Sequence, residues 1–487
     1  MTNSNKVTAA QLSRTEIFLQ FFTEIKPGEG TTAILMFANV FLILCAYYFI
    51  KPLREGWIAV SDISGLSKME VKAYSSFFQA FFLLFIVGLF GKLSDQLQRS
   101  VLVTRTTLFC ISNMVIFWFL QPNLFFKSLP FSGIIFYLWV GMFGVFVVAQ
   151  FWTFCADIYN DEAGKRLLPM IAIGATSGAA FGSQIVDVLV GNGIIPSEAL
   201  LLAGTVPLFV SIALTRIVDS RQSKQTGAGI YASDEQQRCA PASEPASDKR
   251  RNAPDDSLKK NKQQGLGFLL NGAKLVFKSR FLLAIALLTL LNNWVNTNGE
   301  NLLFRVVEEN LAEQAMQQAI VEPRSVLEFT RDGTTAFYGN FFFWVNVVAM
   351  LLQAVVASRL LKFGGFGAII LILPIIAMAS YTVMALVPIL LIVKIMKVAE
   401  DSTDYSINNT ARHVLWLPVD SASKFHGKPA IDTLYVRMGD GLAALTVLIG
   451  VQFLAISTVQ FFVFNIFLVF FWLYFAVMLI SERSKLL

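Results

Sequence analysis

Residues 31–55 read TTAILMFANVFLILCAYYFIKPLRE. From Thr31 to Ile50 no side chain is charged, and about 20 such residues in a helix cross the ~30 Å hydrocarbon layer of a bilayer. The run then ends on Lys51-Pro52-Leu53-Arg54-Glu55, which sets three charges and a helix breaker against an apolar segment. We read it as a membrane span that Pro52 terminates near the far face, freeing backbone groups for water or a polar ligand. Lys26-Pro27-Gly28-Glu29-Gly30 precedes it as a breaker cluster, and residues 11–22 mix polar and apolar positions as a surface-lying helix would. No charged segment, short apolar core and small-residue cleavage site combine into a removable signal, so the first span is expected to be retained.

Further apolar stretches follow at about 75–93, 101–121, 132–156, 168–190, 199–218, 281–300, 336–360, 366–386, 388–407, 429–455 and 456–480. The expectation is an all-α membrane protein with twelve transmembrane helices. Composition agrees: of 487 residues 55% are hydrophobic and 15% charged, against roughly 45–50% and 25% in soluble domains. Residues 219–275 contain the one polar low-complexity segment, read as a cytoplasmic linker. It divides the chain into a 1–30 cytoplasmic segment, a 31–218 six-helix half and a 276–487 six-helix half.

Charge distribution orients this arrangement. About 28 of the 39 Lys and Arg fall on the amino-terminal side, which places both termini in the cytoplasm of a cell whose inner membrane the chain spans. A bacterial inner membrane and a monomer are expected. Lys68, Lys72, Lys127, Arg305, Arg324 and Arg331 are assigned to the far side. The net charge of +6 lies in short connections rather than along an aromatic-interleaved face, so nucleic acid is not an expected partner. Four scattered Cys and two His form no disulfide framework, zinc motif or H-E-x-x-H, and no phosphate loop occurs. No catalytic set, metal or cofactor is expected, and the chain is not read as an enzyme.

The charges inside spans carry the functional reading, because one charge at a helix centre costs about 2.5–3.5 kcal/mol on insertion scales. Lys51 and Arg54 could hold phosphate oxygens, with Glu55 beside them and Tyr47 or Tyr48 stacking on a base; snorkelling to the interface is the plainer alternative. The seventh span carries Asn292, Asn293, Asn296, Asn298 and Glu300, which could read a base or ribose or merely bind helices together. In the tenth, Lys397, Asp401, Asp404, Asn408 and Arg412 recur at helical spacing, a stripe of ligands or of internal pairs such as Lys397 with Asp401. Arg437 and Asp440 offer another pair. Asp157, Lys165 and Arg166 are read as gate contacts on the cytoplasmic side. Gly174, Gly178 and Gly182 make a smooth face for sliding or close packing. Gly91-Lys92-Leu93-Ser94-Asp95 with Arg99 matches the G-x-L-x-D-x-x-x-R gate loop of major facilitator transporters.

From about Glu24 to Lys485 the chain resembles the nucleotide transporters of plastids and intracellular bacteria, the ATP/ADP antiporter family of major facilitator-like architecture. Its motifs match at Lys51, Arg54 and Glu55; at Phe151-Trp152, Ala163-Gly164-Lys165-Arg166 and Pro169; at Asn296 and Glu300; and at Tyr405-Ser406, Leu417-Pro418-Val419-Asp420, Gly427-Lys428 and Ala430-Ile431-Asp432. Two positions depart from the ATP-exchanging members: Asp404 stands where they carry a basic residue, and Leu138-Trp139-Val140-Gly141 where they carry an acidic one. The resemblance implies a secondary active transporter that moves nucleotides, by ATP/ADP-type exchange or of a related kind, through alternating access. The substrate would be a nucleotide or related phosphate anion, bound in a lipid bilayer setting. A proton-coupled carrier of another organic anion, titrating Glu55, Glu300 or Asp404, and a non-transporting receptor or scaffold are the alternatives.

Overall fold

The computed structural model describes Glu16, Gln20 and residues 23–94, 99–121, 131–238, 272, 274–318 and 326–485. Within them the secondary structure is helical, with no strand. The first half comprises α1 Gly30–Ala59, α2 Lys68–Ser94, α3 Arg99–Phe119, α4 Ser132–Ile158, α5 Asp161–Gly191 and α6 Thr205–Arg238. The second comprises α7 Arg280–Gln318, α8 Val326–Leu351, α9 Ser358–Leu386, α10 Leu390–Thr403, α11 Asn409–Leu415, α12 Ser421–Ala430, α13 Val436–Leu448 and α14 Thr458–Ser484. Among the described residues nine helical runs are long and apolar enough to cross a membrane. One of them, Val326–Leu386, contains both α8 and α9, parted by a π-helical turn at Leu352–Ala357.

Helix α1 corrects one expectation. It passes through Pro52 and ends only at Ala59, so Lys51, Arg54 and Glu55 lie within the helix, not at its end. Pro52 leaves the Tyr48 carbonyl without its intrahelical donor, a loss that membrane helices tolerate when neighbours pack tightly around the gap. α2 likewise begins at Lys68, which moves Lys72 from the far-side connection into a helix. α6 runs to Arg238, well into the stretch read as linker. The surface helix expected at 11–22 lies mostly outside the described residues.

Two apolar clusters hold the helices together, one within the first half built on Met36, Phe136, Phe143, Ile171 and Leu208, the other on Phe304, Tyr381, Phe461 and Trp472 of the second half with Tyr48, Ile58, Met69 and Tyr137 of the first. Within the first half the glycine stripe serves close packing. A Cβ at Gly178 would lie 2.2 Å from the Phe41 carbonyl oxygen, and one at Gly182 2.6 Å from that of Cys45, so α5 lies directly on the α1 backbone. The second half carries π-helical turns at Asp404–Asn408, Ile431–Tyr435 and Ile449–Phe453. The first is supported by Ser and Thr hydroxyls bonding back along the helix, as Ser406 Oγ does to the Ser402 carbonyl at 2.5 Å. Such turns carry one residue more than the α-helical repeat and rotate the helix beyond them. The stripe of the tenth span is divided accordingly: Lys397, Asp401 and Asn408 are buried, whereas Arg412 is exposed.

Candidate functional site between the halves

The halves meet on the face opposite the amino terminus. There α8 crosses α1 and α5: a Cβ at Gly56 would lie 2.7 Å from the Arg331 carbonyl oxygen, and one at Gly339 3.1 Å from that of Ser183. Arg331, assigned from sequence to a far-side connection, is buried here in an ion pair with Glu198. Its Nε donates to Ser197 Oγ at 3.0 Å, and Ser197 donates to Asp332 at 2.6 Å. Burial pushes the Glu198 carboxyl up, Arg331 pulls it down, and the balance leaves it above the ordinary carboxylate value. Two further links close this face. Gln452 donates to Glu70 at 2.8 Å; Asn340 donates to Asp187 at 2.7 Å and accepts from Lys394 at 2.6 Å.

On the amino-terminal face the described contacts join α5 to the α1 start within one half. Arg166 forks onto Glu29 at 3.0 and 3.1 Å, and Lys26 pairs with Glu162 at 2.8 Å. Burial raises the Glu29 carboxyl, but Arg166 and Lys26 outweigh it and hold it below its ordinary value. Arg166 therefore acts within the first half rather than across the gap. Asp157 and Lys165 are exposed. Asp95 and the side chain of Arg99 lie outside the described residues. Between the halves, Tyr405 is 40% exposed and within electrostatic reach of Glu300 and Tyr48, which marks the central space.

Its walls hold two buried charge clusters. In the first half Glu55 is 1% exposed and Lys72 2%. Arg54 Nε donates to Glu55 Oε1 at 3.0 Å, and Lys72 Nζ stands 3.0 Å from Glu55 Oε2. The Arg54 guanidinium also covers the Tyr137 ring at 4.2 Å, and Lys72 donates to the Glu300 carbonyl at 3.2 Å. In the second half Lys397, 0% exposed, meets Asp401 at 2.8 Å, Glu400 at 3.1 Å and Asn296 Oδ1 at 3.0 Å. Tyr381 donates either to the Val295 carbonyl at 3.1 Å or to Glu400 at 3.2 Å. Buried ions of this kind persist because each has a partner; deleting one partner typically costs about 3–5 kcal/mol.

The other sequence candidates take unequal places. Arg437 pairs with Asp440 at 2.9 Å, which also accepts from Asn293 at 2.6 Å and Thr297 at 3.0 Å. Asn298 donates to Asn465 at 3.0 Å, so these two Asn bind helices together. Asn408 donates to Asp404 at 2.5 Å, with Arg412 3.7 Å from the same carboxylate. Tyr47 stacks on Phe143 at 5.9 Å, and Tyr48 meets Phe342 edge-on at 5.8 Å. Lys51 differs from them all. Among the described residues its ammonium meets no carboxylate, only the rings of Phe342 at 3.9 Å and Tyr48 at 5.1 Å.

Lys51 thus stands as a half-buried cation where α1 meets α8. The model of the TLC ATP/ADP transporter family matches residues 124–483. The chain belongs to that family. Among relatives of this TLC transporter, ADP,ATP carrier protein 1 of Chlamydia pneumoniae is 28% identical over 129 residues, 22% of this chain and 25% of the relative. ADP,ATP carrier protein 1 of Chlamydia trachomatis serovar D is 27% identical over 125 residues, 22% and 24% of the two chains. The match thus spans about a quarter of those relatives' length. Among solved structures, a variant of the nucleoside transporter NupG superposes with TM-score 0.60 at 11% identity, covering 93% of this chain and 99% of that one. A POT family transporter in complex with 5-aminolevulinic acid gives TM-score 0.57 at 12% identity, covering 93% and 96%. These two likenesses establish a shared transporter fold.

Glu198, Tyr137 and Tyr381 escaped the sequence reading, which assigned Lys72 and Arg331 to the far side without their partners. For Lys72 a signal exists: residues 68–94 form a single helical run once Lys68 and Lys72 are admitted to it. For Arg331 and Glu198 none does, since their partnership spans two halves.

Proposed function

We propose that this TLC transporter is a secondary active transporter of nucleotides across a bacterial inner membrane, working by alternating access with both termini cytoplasmic. In this reading the chain crosses the membrane twelve times, as two six-helix halves, and acts as a monomer. The observation that carries it is Lys51. Cation–π contact with Tyr48 and Phe342 contributes about 0.5–2 kcal/mol, less than the roughly 2.5–3.5 kcal/mol of a charge held at membrane depth. An incoming phosphate supplies the missing counter-charge. Arg54 holds Glu55 and takes the role of a positioning residue, and Arg437, half-exposed beside Asp440, supplies a second pole. Tyr405, 40% exposed, stacks on the base in place of Tyr47 and Tyr48, whose rings are engaged by Phe143 and Phe342.

Thermal unfolding of the purified full chain against a series of nucleotides tests the reading. A nucleotide at about 100 times its dissociation constant adds roughly 2.7 kcal/mol, a clear upward shift that Lys51→Gln reduces. A series in which no nucleotide shifts the wild-type transition counts against it.

A further inference from the structure

Polar contacts with α1 fix the rotation of α6. Asn39 donates to Thr215 Oγ1 at 2.9 Å and accepts from Ser211 Oγ at 2.5 Å, and Leu208, Ile212 and Val218 are buried along the same side. With that side turned to α1, the outer side carries Val206, Val210, Ala213 and Ile217, all exposed, with Phe209 beside them. Their spacing of three and four residues makes one apolar stripe along the helix, the surface that acyl chains meet on a membrane-crossing segment. At its end the stripe changes character, because Arg216, Ser220 and Arg221 continue it and are exposed as well.

Arg216, Ile217, Ser220 and Arg221 line an open cavity of about 330 Å³. Among the described residues neither guanidinium meets a carboxylate, and Asp219, between them in sequence, is half-buried and outside the lining. Depth places this cavity at a boundary. The membrane-crossing run begins at Ala199, and Arg216 stands about 26 Å further along at 1.5 Å per residue, close to the ~30 Å hydrocarbon thickness. The two Arg therefore lie where hydrocarbon gives way to headgroups on the amino-terminal side. A third cation is near that level. A Cβ at Gly204 would lie 2.7 Å from Met114 Cε, and counting nine residues along each antiparallel helix sets exposed Arg105 of α3 beside the level of Ala213. Its stem is long enough to lift the charge toward the same boundary.

We propose that this cavity seats the headgroup of an anionic phospholipid from the leaflet on the amino-terminal side. Arg216 and Arg221 hold its phosphate, Ser220 donates to it, and the acyl chains lie along Ile217, Ala213 and Phe209. Charge decides the class of lipid. In a zwitterionic lipid the ammonium offsets the phosphate, whereas an anionic one leaves a net negative charge for the two guanidinium forks. Two Arg at the headgroup level favour the anionic lipid on the order of 30-fold. A soluble phosphate meets the same cations but gains nothing from the apolar stripe that leads into them. The site lies on the outer side of α6, away from the central space, and so is independent of the nucleotide reading.

Fluorescence quenching of the full chain in phosphatidylcholine liposomes tests this. Ala213→Cys, with Cys239→Ser, takes a fluorescent label one turn from Arg216, while Cys45, Cys110 and Cys155 are buried. Acyl-brominated phosphatidylglycerol at about one lipid in twenty occupies the site roughly tenfold more than brominated phosphatidylcholine at the same fraction, and quenches the label correspondingly more. Arg216→Gln combined with Arg221→Gln brings the two lipids to parity. Ser220→Asp, a change at an exposed side chain, lowers the excess by repulsion and serves if the double variant fails to fold. A label at Phe470→Cys, on the exposed face of α14, shows no excess. No excess at Ala213, an equal excess at Phe470, or an excess that the folded variants leave unchanged overturns the site. An excess that millimolar inorganic phosphate removes marks a soluble-anion site and overturns the lipid assignment.

Discussion

Replacing Arg331 with Met removes the cation that ties the two halves together on the far face. Arg331 is buried with Glu198, Ser197 and Asp332, so the change leaves two carboxylates without their counter-charge. Breaking a buried pair in this way costs about 3–5 kcal/mol. That cost falls only on the far-closed arrangement, since opening the face rehydrates both carboxylates. At 1.4 kcal/mol per factor of ten, about 3 kcal/mol moves the balance toward far-side opening on the order of 100-fold. The readout is thiol labelling of Thr335→Cys, a position fully buried beneath Gly56, by a membrane-impermeant maleimide with Cys239 replaced by Ser. Arg331→Met raises the labelling rate by a large factor from the far side only. Because the Glu198 carboxyl is raised by burial, it takes up its proton at a higher pH than an ordinary carboxylate. Opening rehydrates the carboxyl and returns it toward the ordinary value, so acidification through the raised value favours the closed face and lowers wild-type labelling. An unchanged labelling rate in a folded Arg331→Met protein would refute the gate.

Other outcomes rest on the same geometry. Gly299→Ala drives a methyl group into the Tyr381 hydroxyl and destabilises by about 1–3 kcal/mol, and adding Tyr381→Phe recovers part of that loss; additive denaturation midpoints would contradict the contact. Gly178→Ala, aimed at the Phe41 backbone with no side chain able to move aside, lowers the unfolding midpoint without such rescue. The Glu29 carboxyl is held below its unfolded value, so its contribution is present above that unfolded value and is lost as pH falls through the lower folded one. Glu29→Gln flattens that acid limb in a stability-against-pH series, and an identical limb in both proteins would count against the Arg166–Glu29 contact.

What could be read from the chain alone depended on the range of the interaction. The run 31–50 and its successors needed only hydropathy and length, and the charges at 51–55 and 397–404 stood out because the bilayer excludes charge. The pairs Lys397–Asp401 and Arg437–Asp440 are one helical turn apart and were visible as spacing. Pro52 misled, since local breaking propensity gave way to tight packing around α1. The Arg331–Glu198 pair, the Asp187–Asn340–Lys394 chain and the Lys72–Glu55 pair join separate helices. Their formation depends on how helices distant in sequence dock, within the first half for Lys72–Glu55 and between the halves for the other two, which no periodicity encodes. The π turn at Asp404–Asn408 was equally hidden: beyond it Arg412 is exposed and, of the stripe, pairs with Asp404 at 3.7 Å, while Lys397 and Asp401 are buried.

Whether Lys51 meets a nucleotide phosphate during transport is measured most directly by uptake of labelled ATP into liposomes that hold the full chain and are preloaded with ADP. Charge pairing at Lys51 predicts saturable uptake by the wild type and at least about a tenfold loss in Lys51→Gln, with the variant folded to the same thermal midpoint; roughly 1.4 kcal/mol of lost charge pairing suffices. Wild-type uptake that Lys51→Gln leaves unchanged would contradict it.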